Sequence, residues 1–168
     1  LASKLYCPGG RGMSKTIKVI IIDDDKSYVE SLQMDAREKP FQIKIDHAKN
    51  LEDGINLFYD NGGEKGYSGV ILDIICLKDR EQTIPDRDFL PIALMKVSKI
   101  APNLPLAILT GESDKIEEHK STYKAAAPVY LKGSDDVKDM LHYLKSEGNK
   151  LEENRVKDLH PEVFDIFS

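Results

Sequence analysis

The sequence predicts an α/β fold, a doubly wound parallel sheet of five strands with helices on both faces. Three observations lead to this prediction. From Ile17 onward, short apolar runs alternate with segments of helical periodicity. Several of the runs are β-branched and apolar at every position, which is typical of strands covered on both faces. Each run is separated from the next by a helical segment, as right-handed crossover connections between parallel strands require.

The first two helices can be placed by their ends. The first strand, Ile17–Ile22, is followed by acidic residues and a helix that Pro40 stops. Residues 41–45 then alternate between apolar and polar, which predicts a strand nearer an edge of the sheet. Asn50 can cap the second helix, and the glycine pair at 62–63 ends it.

The second half of the chain repeats this alternation. Val70–Leu72 predicts a third strand, and a long polar stretch follows it. Pro91 lies in the first turn of the third helix, where proline is tolerated. Leu106–Leu109 predicts the fourth strand, and a polar helix is expected from Ser113 to about Ala127. Val129–Leu131 predicts the fifth strand.

The two ends of the chain are expected to lie outside the domain, which we place at residues 13–147. Residues 1–12 are interpreted as an expression-derived or disordered segment, because Met13 is a more natural start. Ser134 can begin a last helix that Gly148 is expected to interrupt. Residues 148–168 are then a C-terminal extension, which could dock on the domain, pair with a second copy or begin a truncated downstream region.

Composition excludes several functional classes. The 168 residues are 40% hydrophobic and 32% charged, which suits one globular domain with a real core. The apolar runs are only strand-sized, so we expect no membrane segment. A net charge of −5 argues against direct nucleic acid binding by this domain. Cys7 and Cys76 form no disulfide framework and lack metal-ligand spacing, so we expect a cytoplasmic location.

Polar side chains follow four of the predicted strands. Asp23 and Asp24 follow the first, Asp73 the third, Thr110 the fourth and Lys132 the fifth. In an open parallel sheet, ligands bind at the carboxyl ends of the strands. Three clustered carboxylates need a cation, and hard oxygen donors suit Mg²⁺. A lysine and a hydroxyl opposite them suit a phosphoryl group.

These segments resemble the receiver domains of bacterial response regulators. Val19–Asp25 is similar to the family's apolar strand with its acidic pair, and Val70–Asp73 to the strand that carries the phosphoacceptor. Ala107–Gly111 resembles the strand with the switch threonine, and Val129–Lys132 the strand with the lysine. The resemblance covers residues 17 to about 145. It implies a flavodoxin-like sheet with strand order 2-1-3-4-5.

The resemblance also implies the roles of the acidic residues. Asp73 would accept a phosphoryl group from a sensor histidine kinase, a phosphotransfer protein or a small phosphodonor. Asp24 would bind Mg²⁺ directly and Asp23 through water. Asp73 and the backbone carbonyl of Ile75 would complete the protein ligands.

The remaining implied roles concern the switch. Lys132 would pair with the phosphorylated aspartate, and Thr110 would move toward the phosphoryl group. This movement would change the surface formed by the fourth helix, the fifth strand and the fifth helix. A homodimer could form through that surface or through the C-terminal extension.

The chain departs from the family pattern around the site. Pro85 lies twelve positions after Asp73, so the loop over residues 74–87 is longer than usual by about eight residues, and such loops are often functional. Gly133 replaces the usual proline after the lysine. Val129 stands at the aromatic switch position, and Tyr130, one position later, should face the other way.

Other side chains near the site receive simpler interpretations. Ile75 and Glu112, two positions beyond the acceptor and the switch threonine, could slow or misdirect attacking water. Cys76 is interpreted as a packing thiol. The histidines are interpreted as surface residues: His47, His119, His142 and His160.

Two other functions remain open. A haloacid-dehalogenase-like phosphatase would use Asp23, Asp25, Thr110 and Lys132, but it would leave Asp73 without a role. A pseudo-receiver that binds proteins without phosphorylation would explain the altered loop and Gly133, although all acceptor-site groups are present.

Overall fold

The computed structural model describes residues 16–159. The segment 1–12, expected to be expression-derived or disordered, and the residues from His160 onward lie outside this range. Five parallel strands form one sheet in the order β2-β1-β3-β4-β5, which confirms the predicted fold and strand order. The strands are β1 (Ile17–Ile22), β2 (Ile43–Ala48), β3 (Gly69–Asp73), β4 (Leu106–Thr110) and β5 (Val129–Leu131).

In the part of the chain that the structure describes, five α-helices cover both faces of the sheet. They are α1 (Lys26–Arg37), α2 (Leu51–Asp60), α3 (Phe89–Ile100), α4 (Ile116–Tyr123) and α5 (Asp136–Leu159). Helices α1 and α5 pack with one face of the sheet around Ile21, and α2, α3 and α4 pack with the other around Ile20. Since neighbouring residues of a strand point to opposite faces, the continuous apolar strands supply both cores. No helix within residues 16–159 is long and apolar enough to cross a membrane.

The predicted helix starts are confirmed where a side chain caps them. The side chain of Asp25 accepts a hydrogen bond from the backbone N–H of Tyr28, at 3.1 Å. Asn50 accepts one from the N–H of Asp53, at 2.7 Å. Such caps satisfy N–H groups that have no partner within the helix. They place the first turns of α1 and α2 directly after β1 and β2.

Two helix boundaries differ from the sequence prediction. Helix α4 ends at Tyr123 rather than near Ala127, and the three residues from Ser113 to Lys115 form a 3-10 turn before it. Helix α5 is not interrupted at Gly148 but continues to Leu159. A Cβ atom at position 148 would lie 2.7 Å from Cδ1 of Ile17. The glycine therefore allows α5 to approach the sheet closely, and this packing outweighs its low helix propensity.

Beyond Gly148, helix α5 docks on its own domain. Leu151 packs against the apolar cluster shared by the sheet, α2 and α3. The Ser68 hydroxyl donates to Glu152 at 2.6 Å, and the Arg155 guanidinium donates to the carbonyl of Glu64 at 3.2 Å. Residues 148–159 thus pack on the domain in this structure, and the boundary at residue 147 stays a prediction.

The lengthened loop after β3 is held by backbone pairing. Cys76 and Asp86 form an antiparallel bridge, with the N–H of Asp86 donating to the Cys76 carbonyl at 2.9 Å. Lys78 forms an ion pair with Asp86 at 2.8 Å. The carbonyl of Leu77 accepts from the first N–H of α2, at Leu51. Cys76 is fully buried, which agrees with a packing thiol, and burial raises its pKa.

Candidate functional site

The carboxyl ends of β1 and β3 bring three aspartates together. The two strands are neighbours in the sheet, with Ile22 opposite Leu72. Carboxylate oxygens of Asp23, Asp24 and Asp73 all lie within 4.8 Å of one another. Asp23 is 0% exposed and Asp73 only 8% exposed, whereas Asp24 is half-buried. The cluster is therefore an acidic pocket with one side open to solvent.

Lys132 closes this pocket from the end of β5. Its Nζ lies 2.7 Å from Oδ2 of Asp23 and 3.1 Å from Oδ2 of Asp73. The ammonium also lies 4.9 Å from the ring centroid of Tyr28, within the range of a cation–π contact. Although burial opposes its charge, the carboxylates of Asp73 and Asp23 raise the pKa of Lys132 above its ordinary value. The lysine is thus a fixed positive charge.

The environment of Asp73 disfavours its negative charge. Burial, followed by the nearby charge of Asp23, raises its pKa to about 7. Lys132 and the N–H of Ile74, which donates to Oδ1 at 2.7 Å, oppose this shift. A cation bound at the pocket would favour the ionised carboxylate in the same way as Lys132 does.

One buried oxygen suits a bound cation in particular. Oδ1 of Asp23 accepts a hydrogen bond from the N–H of Asp25, at 2.8 Å. Oδ2 of Asp23 is buried without hydrogen-bond geometry to any group in residues 16–159, despite its short ion-pair distance to Lys132. A buried carboxylate oxygen of this kind, beside two further carboxylates, fits the preference of Mg²⁺ for hard oxygen ligands. The expected ligand role of the Ile75 carbonyl remains a prediction.

Thr110 lies at the same edge of the sheet, at the end of β4. Its backbone carbonyl accepts from the N–H of Lys132 at 2.8 Å. Its side chain is buried, and Oγ1 accepts from the N–H of Glu112 at 3.1 Å. The structure therefore places the threonine beside Lys132, whose ammonium contacts Asp73.

Val129 and Tyr130 point to opposite faces of the sheet, as the alternation of side chains along a strand predicts. Val129 is buried in the core below α2, α3 and α4, and Tyr130 packs on the other face, 6.3 Å from Tyr143 between ring centroids. Gly133 has a φ of 71°. This left-handed conformation favours glycine in the turn after the lysine.

Two of the four histidines are partly or largely buried, so the prediction that they are surface residues was wrong for these two. The side chain of His119 is only 10% exposed, and its Nε2 lies 3.0 Å from Oε1 of Glu112. His47 is half-buried, and its Nε2 donates to the backbone carbonyl of Asp23 at 2.6 Å. The signal for His119 was its spacing from Ile116 and Tyr123, which puts the three on one face of α4. His142 is exposed, as predicted.

Comparisons with known proteins identify the fold. No family model and no curated protein sequence matches the chain. A response regulator receiver domain protein from Clostridium thermocellum shares 18% identity and a TM-score of 0.58, with 81% of this chain and 97% of that one covered. The chain has the receiver fold. The predicted resemblance is thereby confirmed as a likeness of fold.

Other solved structures agree with this assignment of the receiver fold. The receiver domain of a Francisella response regulator shares 18% identity and a TM-score of 0.59 over 80% of this chain and 98% of that one. The signal receiver domain of an HD-domain-containing protein from Pseudomonas fluorescens Pf-5 shares 15% identity and a TM-score of 0.60 over 88% and 98%. At these identities the likeness establishes the fold, and the chemistry has to be argued from the site itself.

Proposed function

We propose that this domain is a phosphorylation switch in which Asp73 accepts a phosphoryl group in the presence of Mg²⁺. The observation that carries the proposal is the position of the Lys132 ammonium between Asp23 and Asp73, with Asp24 beside them. A permanently charged lysine, a buried acceptor carboxylate and a further pair of carboxylates supply the charges that phosphoryl transfer requires.

In the proposed reaction, a carboxylate oxygen of Asp73 attacks the phosphorus of the donor. The bond from phosphorus to the donor's histidine nitrogen, or to the oxygen of an acyl phosphate, breaks, and its electron pair leaves with the donor. Asp23, Asp24, Asp73 and the carbonyl of Ile75 would hold Mg²⁺, which supplies charge neutralisation when bound. Lys132 would offset the remaining negative charge on the phosphoryl oxygens.

Phosphorylation of Asp73 would change the conformation of the domain through Thr110. Its hydroxyl can donate to a phosphoryl oxygen while it accepts from the N–H of Glu112, and a shift of Thr110 would pull on the segment before α4. The surface formed by α4, β5 and α5 is then the expected contact for a target or a homodimer. The expected donor is a sensor histidine kinase or phosphotransfer protein, and the expected location is the cytoplasm.

The test is phosphorylation by acetyl phosphate, followed by intact-mass spectrometry. The wild type with Mg²⁺ should gain about 80 Da, and the gain should disappear in Asp73→Asn and when EDTA removes the cation. Asp60→Asn, which changes an exposed aspartate at the end of α2, should be labelled like the wild type. An unlabelled wild type, under conditions that label a standard receiver, would favour the pseudo-receiver. Steady release of phosphate from a simple phosphoester would instead favour the phosphatase.

A further inference from the structure

The lengthened loop after β3 ends in an ionic cluster beside the candidate site. A guanidinium nitrogen of Arg87 lies 3.0 Å from Oε2 of Glu112. The other carboxylate oxygen of Glu112 lies 3.0 Å from Nε2 of His119. The three residues come from the loop, the segment after β4 and helix α4. The cluster therefore ties together the segments that follow β3 and β4 and the helix α4.

The position of Arg87 depends on the ordered part of the loop. The preceding residue, Asp86, is anchored through its backbone to Cys76 and through its side chain to Lys78. The backbone N–H of Asp88 donates to the Asp86 carboxylate at 2.8 Å. Arg87 thus lies between two residues that the loop holds in place, and the loop directs it toward Glu112.

The Glu112 carboxylate is ionised, and each of its two oxygens has a partner. Burial opposes its ionisation, but the hydrogen bonds from Arg87 and His119 hold the pKa of Glu112 below its usual range. Glu112 lies two residues after the end of β4, at the same edge of the sheet as the three aspartates. Without a nearby cation, it would add a further negative charge where a phosphodonor, itself an anion, has to approach.

The segment that carries Glu112 also borders the acceptor site directly. The backbone N–H of Glu112 donates to Oγ1 of Thr110. A Cβ atom added at Gly111 would lie 3.8 Å from Cδ of Lys132, so Gly111 lies alongside the lysine side chain. A change in how Glu112 is held would therefore reach both Thr110 and Lys132.

We propose that Arg87 is a positioning residue for phosphorylation of Asp73, because it neutralises and fixes the carboxylate of Glu112, whose backbone contacts Thr110 at the end of β4. The inference rests on the proposed function and assigns a role to the lengthened loop, which is to deliver Arg87. Helix α4 contributes His119 as the second holder of the same carboxylate.

The experiment compares the rate of labelling by acetyl phosphate and Mg²⁺ in a set of variants. Arg87→Gln should slow labelling by about three- to tenfold, as expected for one uncompensated charge near the surface. Arg87→Lys, which keeps the charge, should restore most of the rate. The double variant Arg87→Gln/Glu112→Gln should also be close to the wild type, because the uncompensated carboxylate is gone.

Salt and a matched arginine distinguish this charge effect from a loss of loop packing. The deficit of Arg87→Gln should shrink as ionic strength rises, since exposed charges are screened. Arg80→Gln changes an arginine of the same loop that pairs with Asp53 away from the site, and it should label at the wild-type rate.

Three results would overturn the inference. Arg87→Gln could label as fast as the wild type, the double variant could remain as slow as Arg87→Gln, or Arg80→Gln could be equally slow. A wild type that is not labelled at all would overturn the proposed function and this inference with it. The wild-type sample therefore separates failure of the function from failure of the role given to Arg87.

Discussion

The ammonium of Lys132 lies 3.1 Å from a carboxylate oxygen of Asp73. The two residues are the last of β3 and the first after β5, and β4 lies between those strands in the sheet. Because both side chains are largely buried, their charges are weakly screened, and the charge on each residue affects the ionisation of the other. The stability of the domain and its chemistry should therefore respond to the same groups.

The first prediction concerns the cost of ionising Asp73. Its pKa is raised to about 7 in the folded domain, so the native state keeps a proton that the unfolded chain releases. Its contribution to stability is therefore lost as pH rises from about 4 to about 7. Asp73→Asn should raise the free energy of unfolding by about 1–3 kcal/mol at pH 8 without divalent cations.

Urea unfolding at several pH values measures this effect. The gain in the free energy of unfolding of Asp73→Asn over the wild type should shrink as the pH falls, and it should be smallest below about 3, where both the folded and the unfolded carboxyl groups are protonated. A variant that is less stable than the wild type at pH 8 would show that the ion pair with Lys132 outweighs burial and the charge of Asp23.

The second prediction concerns the cation. Mg²⁺ should raise the thermal midpoint of the wild type, because it binds the folded acidic pocket and not the unfolded chain, with a gain of about 1–3 kcal/mol at saturating concentrations. Asp23→Asn should abolish most of this shift, since it replaces a fully buried carboxylate of the acidic pocket with a neutral amide. The exposed variant Asp60→Asn should retain the shift. An equal shift in Asp23→Asn would place the cation elsewhere.

The third prediction concerns the docking of α5. A Cβ at position 148 would meet Cδ1 of Ile17 at 2.7 Å and the Ser68 carbonyl at 3.3 Å. Gly148→Val should therefore lower the free energy of unfolding by about 1–3 kcal/mol, although valine has the higher helix propensity. Ser146→Val, an exposed position two residues earlier, should change it by less than about 0.5 kcal/mol. If Gly148→Val had no effect, α5 would not be seated on β1.

The fold and the chemical groups of the site could be predicted from sequence because their signals are local. Buried parallel strands can be recognised in the sequence as runs of β-branched residues. The residue that follows each run has to lie at the carboxyl edge of the sheet. Asp23, Asp73, Thr110 and Lys132 could therefore be placed without any knowledge of side-chain contacts. The caps at Asp25 and Asn50 are local in the same sense.

The features that could not be predicted depend on contacts between distant segments. Gly148 appears in the sequence only as a poor helix residue, and its reason, the close approach to Ile17, exists only in the folded chain. The pairing of Arg87 with Glu112 depends on the path of a loop that departs from the family pattern. His119 was missed because its burial follows from packing on a helix whose other positions are mostly polar.

The most direct test of the account is to locate the phosphoryl group on the chain. After labelling with acetyl phosphate and Mg²⁺, borohydride reduces an aspartyl phosphate to homoserine, and peptide sequencing by mass spectrometry identifies the modified position. The account predicts homoserine at position 73 alone, and none in a reaction without the phosphodonor. Homoserine at Asp23 or Asp24, or phosphate retained on a histidine such as His47 or His119 with position 73 unchanged, would contradict it.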